Sequence, residues 1–587
     1  MARPESTQNK ISQAPRVPAG MPRGPGGHAA HPASTRLWPL LAAIVLLAAC
    51  LPYWQSLGYD FVWDDTSIVG TGLDVRGPHD LSRIWSTPFD SFLGDPMRQP
   101  NYFRPVVLLT LASDRALSGD APAGYHLTNV LVYAIVCVLL WLFAWELSGR
   151  PLAATGGAVV FALHPTHPES VSFISGRTDL IAGAFLFASL WAAARWGPRI
   201  RHVVLKLAPA SSFLLLALYS KEVAFFASPL LVLVLWVRER RLRARDLLAA
   251  AIPILLSDAI YWASRISVLG AHTLPAASPV EGMAPQILTS VAVVARYVAV
   301  LLVPVSLSAR HEVAPLRSPN AIFLAGLLAL ALIAIGLVLL VRRRSRWSIP
   351  LFLFASTLLP LCYVRIIAGA LVAERLLFIP SGALALGIAL LPGTIPYFAA
   401  GVAAPLFLAL LLPRISIWKN EDTLYTSMLR DSPDSPHVHA MVGGYYYRHR
   451  DLARAAEHQR RAFELMPEYT ESLLDLSAAE DEMGLADSAF AHVRLLLRLR
   501  PRYAPGWYAL GNYYVRADRS DSARQAYEQS IRLSPGFAQA ENNLGVVLER
   551  MGRTEEAIAH YRRAVEALPG FPEAANNLAR VTGRRTP

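Results

Sequence analysis

The sequence predicts an all-α chain in two parts, a polytopic membrane domain of about 11 transmembrane helices followed by a helical-repeat α-solenoid. Three observations carry this expectation. The 587 residues are 53% hydrophobic and only 17% charged, with a mean hydropathy of +0.34, a composition that suits a membrane protein with a soluble part attached. The basic residues stand in short clusters between apolar runs. Prolines recur at 433, 467, 501, 535 and 569, a period of 34 residues.

A formal charge of +12 and a pI near 9.7 raise the question of nucleic acid, and the placement of the arginines answers it. Arg195, Arg199 and Arg201 form one cluster, Arg238, Arg240, Arg241, Arg243 and Arg245 a second, and Arg342, Arg343, Arg344 and Arg346 a third. Clusters between apolar runs are the positive-inside pattern of cytoplasmic loops, so the expected partner is the lipid bilayer and no nucleic acid. Cys50, Cys137 and Cys362 all lie in apolar stretches without metal-ligand spacing, which argues against a disulfide framework or a zinc site.

Residues 1–36 hold six prolines, four glycines and five basic residues against one acid; such a segment cannot bury a core and reads as a disordered cytoplasmic tail. The membrane domain is expected over 37–413. Its first run, Trp38 to about Leu57, starts late and is long enough to span about 30 Å of hydrocarbon, so it reads as an uncleaved span. Further apolar runs occupy 125–147, 152–163, 179–194, 203–219, 223–237, 247–268, 286–305, 320–341, 349–367, 372–391 and 395–413. With the tail inside, the loops at 148–151, 195–202 and 238–246 fall inside, but the 342–346 cluster does so only if 286–305 lies along the outer interface or re-enters. Eleven spans then remain, and the chain leaves the membrane outward at about Leu412. The loop 58–124 and the segments 164–178, 220–222, 269–285, 306–319 and 366–373 face outward with it.

Residues 414–435 read as a linker, and 436–581 as tetratricopeptide repeats, the family whose period is 34. The unit 504–537 carries the full pattern, with Trp507, Leu510, Gly511 and Tyr514 on its first helix, Ala523 and Tyr527 on its second, and Pro535 closing it. Units 436–469 and 538–571 follow it well. Unit 470–503 keeps Leu476, Ala489 and Pro501 but has Ser477 in place of the glycine, and 572–581 starts a partial unit that caps the stack. Stacked units share one core and a concave face suited to a protein or peptide.

The polar residues that could carry chemistry collect in the outward segments. Asp64 and Asp65 follow the first span between aromatic residues; such a pair can supply a general base, hold a divalent cation, or merely end a helix at the interface. Arg104 opens an apolar stretch and could clamp a phosphate or snorkel. His126 and Asn129 sit on the first turn of the second span, where capping is an equal reading. His164, His167 and Glu169 are the densest polar group between two spans, but their spacing is no recognised closed ligand set, and Pro165 and Pro168 suggest a rigid turn. Arg177 could pair with Asp179, and Lys221 with Glu222 and Glu374 with Arg375 repeat the theme of a charged couple at the outer interface. Charges at bilayer margins cost a few kcal/mol each unless paired or hydrated, so this many on one side argue for a hydrated cavity.

Taken in order, these motifs resemble the transmembrane and tetratricopeptide-repeat O-mannosyltransferases, within the GT-C glycosyltransferase fold. The resemblance runs from about 38 to 581 and rests on Asp64-Asp65, Phe103-Arg104-Pro105, His126 and Asn129, His164-Pro165 with Glu169 and Gly176-Arg177-Thr178-Asp179, Ser220-Lys221-Glu222, Ala373-Glu374-Arg375 with Pro380-Ser381, and Trp418. It implies an outward active site that moves a sugar, usually mannose, from a polyprenyl-phosphate carrier to a protein Ser/Thr hydroxyl. Asp64 or Asp65 would be the base, and Arg104, Arg177, Lys221 and Arg375 the candidates for the lipid phosphate. Phe378 stands where the family often has tyrosine. The Ala- and Arg-rich composition points to a bacterial inner membrane, with undecaprenyl phosphate as carrier and the repeats in the periplasm. The residues specify no cofactor and leave a divalent cation open, which would sit at Asp64 and Asp65. A non-catalytic repeat scaffold is the rival reading, although one helix would anchor it as well as eleven. A transporter would show an internally repeated architecture, which these spans lack.

Overall fold

The computed structural model describes residues 37–583 apart from 71–77, 90–100, 271–281, 312–313, 363–371 and 569. The expected tail, 1–36, and parts of the outward segments 58–124, 269–285, 306–319 and 366–373 lie outside the described residues. Among the described residues the protein is helical, and its one β contact is an isolated antiparallel bridge between His311 and Val372.

The apolar runs fold as helices close to where the sequence puts them. Proline starts many of them, because its missing N–H is one of the orphan donors of a first turn: Pro122–Ser148, Pro151–Ala162 and Ile395–Ser416 all carry proline at the first or second position. Among the described residues, six helices are long and apolar enough to cross a bilayer. Trp38–Cys50 with the 3₁₀ segment Pro52–Gly58, bent by 44°, makes a seventh if the two count as one span. Pro151–Ala162, Val203–Leu218, Ala224–Arg238 and Ser348–Cys362 are apolar but shorter. Length and apolarity thus mark six or seven candidate spans among the described residues, and the eleven expected from hydropathy and charge also count the shorter helices. One buried core joins the first helix to the faces of Pro122–Ser148, Arg177–Arg195, Ala208–Leu218, Ala224–Arg238, Phe378–Leu390 and Ile395–Ser416.

The polar groups sort to two ends of this bundle. At one end Arg238 and Arg195 both pair with Glu146, Arg344 donates to the carbonyls of Arg240 and Leu242, and Arg150 donates to Leu391 O. The three arginine clusters thus share one end with the 391–393 turn. At the other end stand the segments around 60–65, 101–104, 164–179, 220–222, 308–311 and 374–375. The helix Met283–Leu302 is long enough to cross, and three of its polar contacts are with this second end: Thr289 accepts from Leu316 N (2.9 Å), Arg296 donates to His311 (3.0 Å), and Leu301 O is bonded to His164 (3.1 Å).

Repeat helices follow the 34-residue period: Pro436–Arg448 with Leu452–Leu465, Glu471–Glu482 with Ala486–Leu499, Ala504–Arg516 with Ser520–Leu533, Ala538–Arg550 with Thr554–Ala567, and the closing Pro572–Thr582. Residues 414–435 differ from the expected linker. The last apolar helix continues to Ser416, and Glu421–Asp431 is a helix capped by Asn420, whose side chain accepts from Thr423 N (2.9 Å). Leu424, Tyr425 and Met428 are buried with Val438 and Val442 of the first repeat and with Val62 and Phe173 of the membrane half, so the repeats are docked by a shared core and no slack chain separates the two parts.

Close helix packing inside a unit depends on a missing side chain. A Cβ at Gly545 would lie 2.7 Å from the ring of Tyr561, which is buried and bonded through its hydroxyl to Glu549 (3.0 Å), whereas a Cβ at Gly444 would meet nothing nearer than 3.9 Å. Gly545→Ala should therefore destabilise the repeat stack by about 1–3 kcal/mol, seen as earlier proteolysis of the repeats on heating the full-length protein in detergent. Gly444→Ala should be neutral or stabilising in the same assay. Equal behaviour of the two variants would contradict this packing.

Candidate functional site

Every neighbouring charged couple noted in the sequence is split by the fold and re-paired across elements. Arg177 does not pair with Asp179. Its guanidinium is fully buried, bonded to Asp114 (2.5 Å), Asn129 Oδ1 (2.7 Å) and the carbonyl of Tyr125 (2.8 Å). Asp179 instead accepts from Lys221 Nζ (2.5 Å). Glu222 accepts from Arg104 (2.9 Å) and faces Arg265 (3.6 Å), which also donates to Asn101 O. Glu169 accepts from both the side chain (2.8 Å) and the backbone N–H (2.9 Å) of Arg375, while Glu374 turns away to Arg414 (3.0 Å), His311 (3.3 Å) and Ser308 N (2.6 Å). Helix spacing explains the split, since neighbours in sequence point to different faces of a helix or turn.

The paired carboxylates also separate. Asp65 is fully buried and spends both oxygens on the turn before Arg177: Oδ1 accepts from the backbone (2.8 Å) and hydroxyl (2.6 Å) of Ser175, and Oδ2 from Ile174 N (3.3 Å) and Val62 N (3.4 Å). Burial pushes its carboxyl up to about 7, against those four donors. Asp64, one residue earlier, is exposed, and it lies close enough to Arg375 and Tyr425 to act on both electrostatically. A cation shared by the pair does not fit this arrangement, because the Asp65 oxygens already face N–H and O–H donors. No cluster of three or more His, Cys, Asp or Glu suited to a metal occurs among the described residues.

His126 and Asn129 are not helix caps. The helix starts at Pro122, His126 is buried edge-on against Tyr59, and Asn129 Nδ2 donates to the carbonyls of Val171 (3.0 Å) and Phe173 (3.4 Å), shaping the turn that receives Asp65. His164 bonds Thr166 and Leu301 O, and His167 bonds Tyr133 and Ser381, both histidines fully buried. Phe378 packs against Tyr133, Phe161 and His167. These groups hold the floor of the site.

What remains open to a ligand is a smaller set. The Arg375 side chain is 35% exposed, the Arg104 side chain 12% and that of Lys221 10%, against 0% for Arg177. Arg104 lies over the Tyr102 ring at 4.2 Å. Burial alone would raise the carboxyl of Glu222, yet Arg104 holds it below the usual range; burial lowers Lys221 although Asp179 opposes this. Lys221 in turn acts electrostatically with both Arg104 and Arg375, and Arg375 with the exposed Asp64, so the three cations form one cluster whose Arg375 side reaches Asp64. Asp114, Arg265, His311 and Arg414 escaped the sequence reading. Each stands inside an apolar helix or an outward segment without a motif, and only Asp114 and Arg265, charges within apolar runs, carried a usable signal.

Comparison with known proteins agrees with both halves. The model described as tetratricopeptide repeat matches residues 508–572. The chain is similar to a protein O-mannosyl-transferase of Caenorhabditis elegans, F38B6.6, at 24% identity over 421 residues, 68% of this chain and 59% of that one. A match of this length cannot fit within the repeats and so takes in much of the membrane half. It is also similar to protein O-mannosyl-transferase TMTC3 of Mus musculus (33% over 149 residues, 25% of this chain and 16% of that one) and to Tmtc1 of Drosophila melanogaster (30% over 198 residues, 32% and 21%). The chain thus spans less than two thirds of the length of each of these relatives. Among solved structures it is similar to MamA (23% identity, 26% of this chain and 82% of that one, TM-score 0.23) and to the thermophilic repeat protein TTC0263 of Thermus thermophilus (23%, 27% and 88%, 0.25).

Folding raises the Asp65 carboxyl from 3.8 to about 7, so the folded state holds a proton that the unfolded chain has released. This contribution to stability is fully present below about pH 4 and is lost as the pH climbs towards 7. The stability of wild type minus that of Asp65→Asn, measured by unfolding the full-length protein in detergent, should fall with pH across this window. A difference that stays flat would show a carboxylate ionised throughout.

Proposed function

We propose that the chain is an integral-membrane glycosyltransferase that moves a sugar, mannose by its relatives' names, from a polyprenyl-phosphate carrier to a Ser/Thr hydroxyl of a protein. The observation that carries the reading is the exposed Asp64 carboxylate near Arg375, which clusters with Lys221 and, through it, Arg104, at one end of a helical membrane bundle. A lipid-linked donor has its phosphate and sugar at the interface and its tail in hydrocarbon. An enzyme for it needs cations at a bundle end and a base within reach of the acceptor.

The roles divide by exposure. Asp64 takes the proton of the acceptor hydroxyl as its oxygen attacks the anomeric carbon, and the carbon–oxygen bond to the phosphate breaks. Arg375, with Arg104 and Lys221, stabilises the negative charge that grows on the departing lipid phosphate. Asp65 and Arg177 are anchors that keep the base-bearing loop on its turn. The residues suit direct transfer without a metal, and the repeats bring the acceptor to the site.

The topology belongs to the same reading. With the arginine-rich end inside, the polar end and the repeats face outward, in a bacterial inner membrane the periplasm, and the helix Met283–Leu302 lies at the outer side. A reporter active only in the cytoplasm, fused after Pro587, should be silent; activity would refute the orientation of the whole site.

Asp64→Asn should cut transfer to an acceptor peptide by about 100-fold or more with donor KM little changed, while Arg375→Met should raise donor KM. Glycan analysis of the acceptor after incubation with synthetic polyprenyl-phosphate mannose measures both. Full activity in Asp64→Asn would remove the base from the account.

A further inference from the structure

Trp418 takes part in none of the charged pairs, yet it is completely buried just beyond the last turn of the final apolar helix. Its indole stacks on Phe173 (centroids 5.2 Å apart, 27° between planes), and Phe173 stacks on Trp63 (5.8 Å, 23°). Trp63 is the residue before Asp64. Its φ of +55° is in the left-handed region, which a bulky L-residue keeps only where its surroundings impose it.

Three ties impose it. The Asp60 N–H donates to Lys419 O (3.0 Å), Trp63 is held through Phe173 by Trp418, and Asp65 is clamped to 174–175. Asp64 is the exposed residue between these anchors. The same stretch of chain also governs the cationic side. Arg414, one turn before Trp418, donates to Glu374 Oε2, and the other oxygen of Glu374 accepts from Ser308 N, which fixes the turn that carries Arg375.

We infer that residues 414–418 position the active site: Trp418 sets the backbone that carries Asp64, Arg414 sets the turn that carries Arg375, and the root of the repeat domain completes the site. The inference rests on the roles given above to Asp64 and Arg375. Loss of the Trp418 ring opens a void in the stack, and Trp63 can then leave the left-handed conformation. A shift of about 1 Å at a reacting group costs on the order of 100-fold in rate. Losing the bond from Arg414 releases the arginine turn and leaves Glu374 buried with one partner fewer.

The test uses full-length protein in nanodiscs and has one arm that needs no catalysis. Amide hydrogen exchange over residues 60–66 is compared for wild type, Trp418→Phe, Trp418→Ala and, as a control tryptophan within the repeats, Trp507→Ala. Trp418→Ala should speed exchange there by about ten-fold or more, and the other two variants should not. In transfer to a short soluble peptide, Trp418→Ala should lower kcat by about 100-fold with donor KM within about two-fold, and Trp418→Phe should recover most of it. Arg414→Met should raise donor KM, and Arg414→Lys should restore it. Unchanged exchange in Trp418→Ala, or the same increase in Trp507→Ala, would overturn the positioning role. An absence of transfer by the wild-type protein, with the exchange pattern as expected, would instead overturn the functional reading and the catalytic meaning of the stack with it.

Discussion

A charge at the margin of a bilayer is costly unless it meets an opposite charge or water, and the rest of this structure depends on how the chain meets that demand. Neighbouring residues carry the charges, but the fold pairs each of them with a residue far away in sequence. Arg177 closes on Asp114, Lys221 on Asp179, Arg104 on Glu222 and Arg375 on Glu169. Every such pair ties two helices or a helix and a turn, so satisfying the charges also assembles the polar end. Deeply enclosed pairs act as fasteners. Pairs at the rim keep one face of the cation exposed, and only those can meet a ligand.

The same logic separates two adjacent carboxylates. Asp65 is turned inward onto Ser175 and Ile174, and this fixes the direction in which Asp64 faces out. An aromatic stack continues the support from Trp63 through Phe173 to Trp418, where the last apolar helix passes into the repeat domain. The repeats are therefore built against the loop that carries the proposed base. On the proposed function, acceptor recognition and chemistry would share one framework, a geometry that a flexible tether could not give.

The fold was legible in the sequence to the degree that it rests on periodicity. The proline period and the Trp507-Leu510-Gly511-Tyr514 pattern locate the repeat helices, and hydropathy locates most of the apolar helices to within a few residues. The runs 349–367 and 372–391 are longer than the helices Ser348–Leu358 and Phe378–Leu390 found there. The helix Pro105–Ser118 inside the outward loop was missed, because Asp114 and Arg115 interrupt its apolar run. The helix Glu421–Asp431 was missed because it is short and polar on its outer face. Candidate site residues were recognisable as unusual charges near apolar runs, but their partners were not, since nothing in a sequence says that Glu374 faces Arg414 and not Arg375. Nor can local pattern show which of two adjacent aspartates is buried.

The central claim is that Arg375 and the cations clustered with it bind the phosphate of a lipid-linked donor, while Asp64 acts only in the chemistry. Equilibrium binding of polyprenyl phosphate and of the corresponding uncharged polyprenol to the purified full-length protein tests it most directly, with wild type, Asp64→Asn and a variant carrying both Lys221→Met and Arg375→Met. The account predicts that the phosphate form binds more tightly than the alcohol, that this preference survives in Asp64→Asn, and that it disappears in the double variant. Equal binding of the two lipids by wild type, or a preference lost in Asp64→Asn and kept in the double variant, would contradict it.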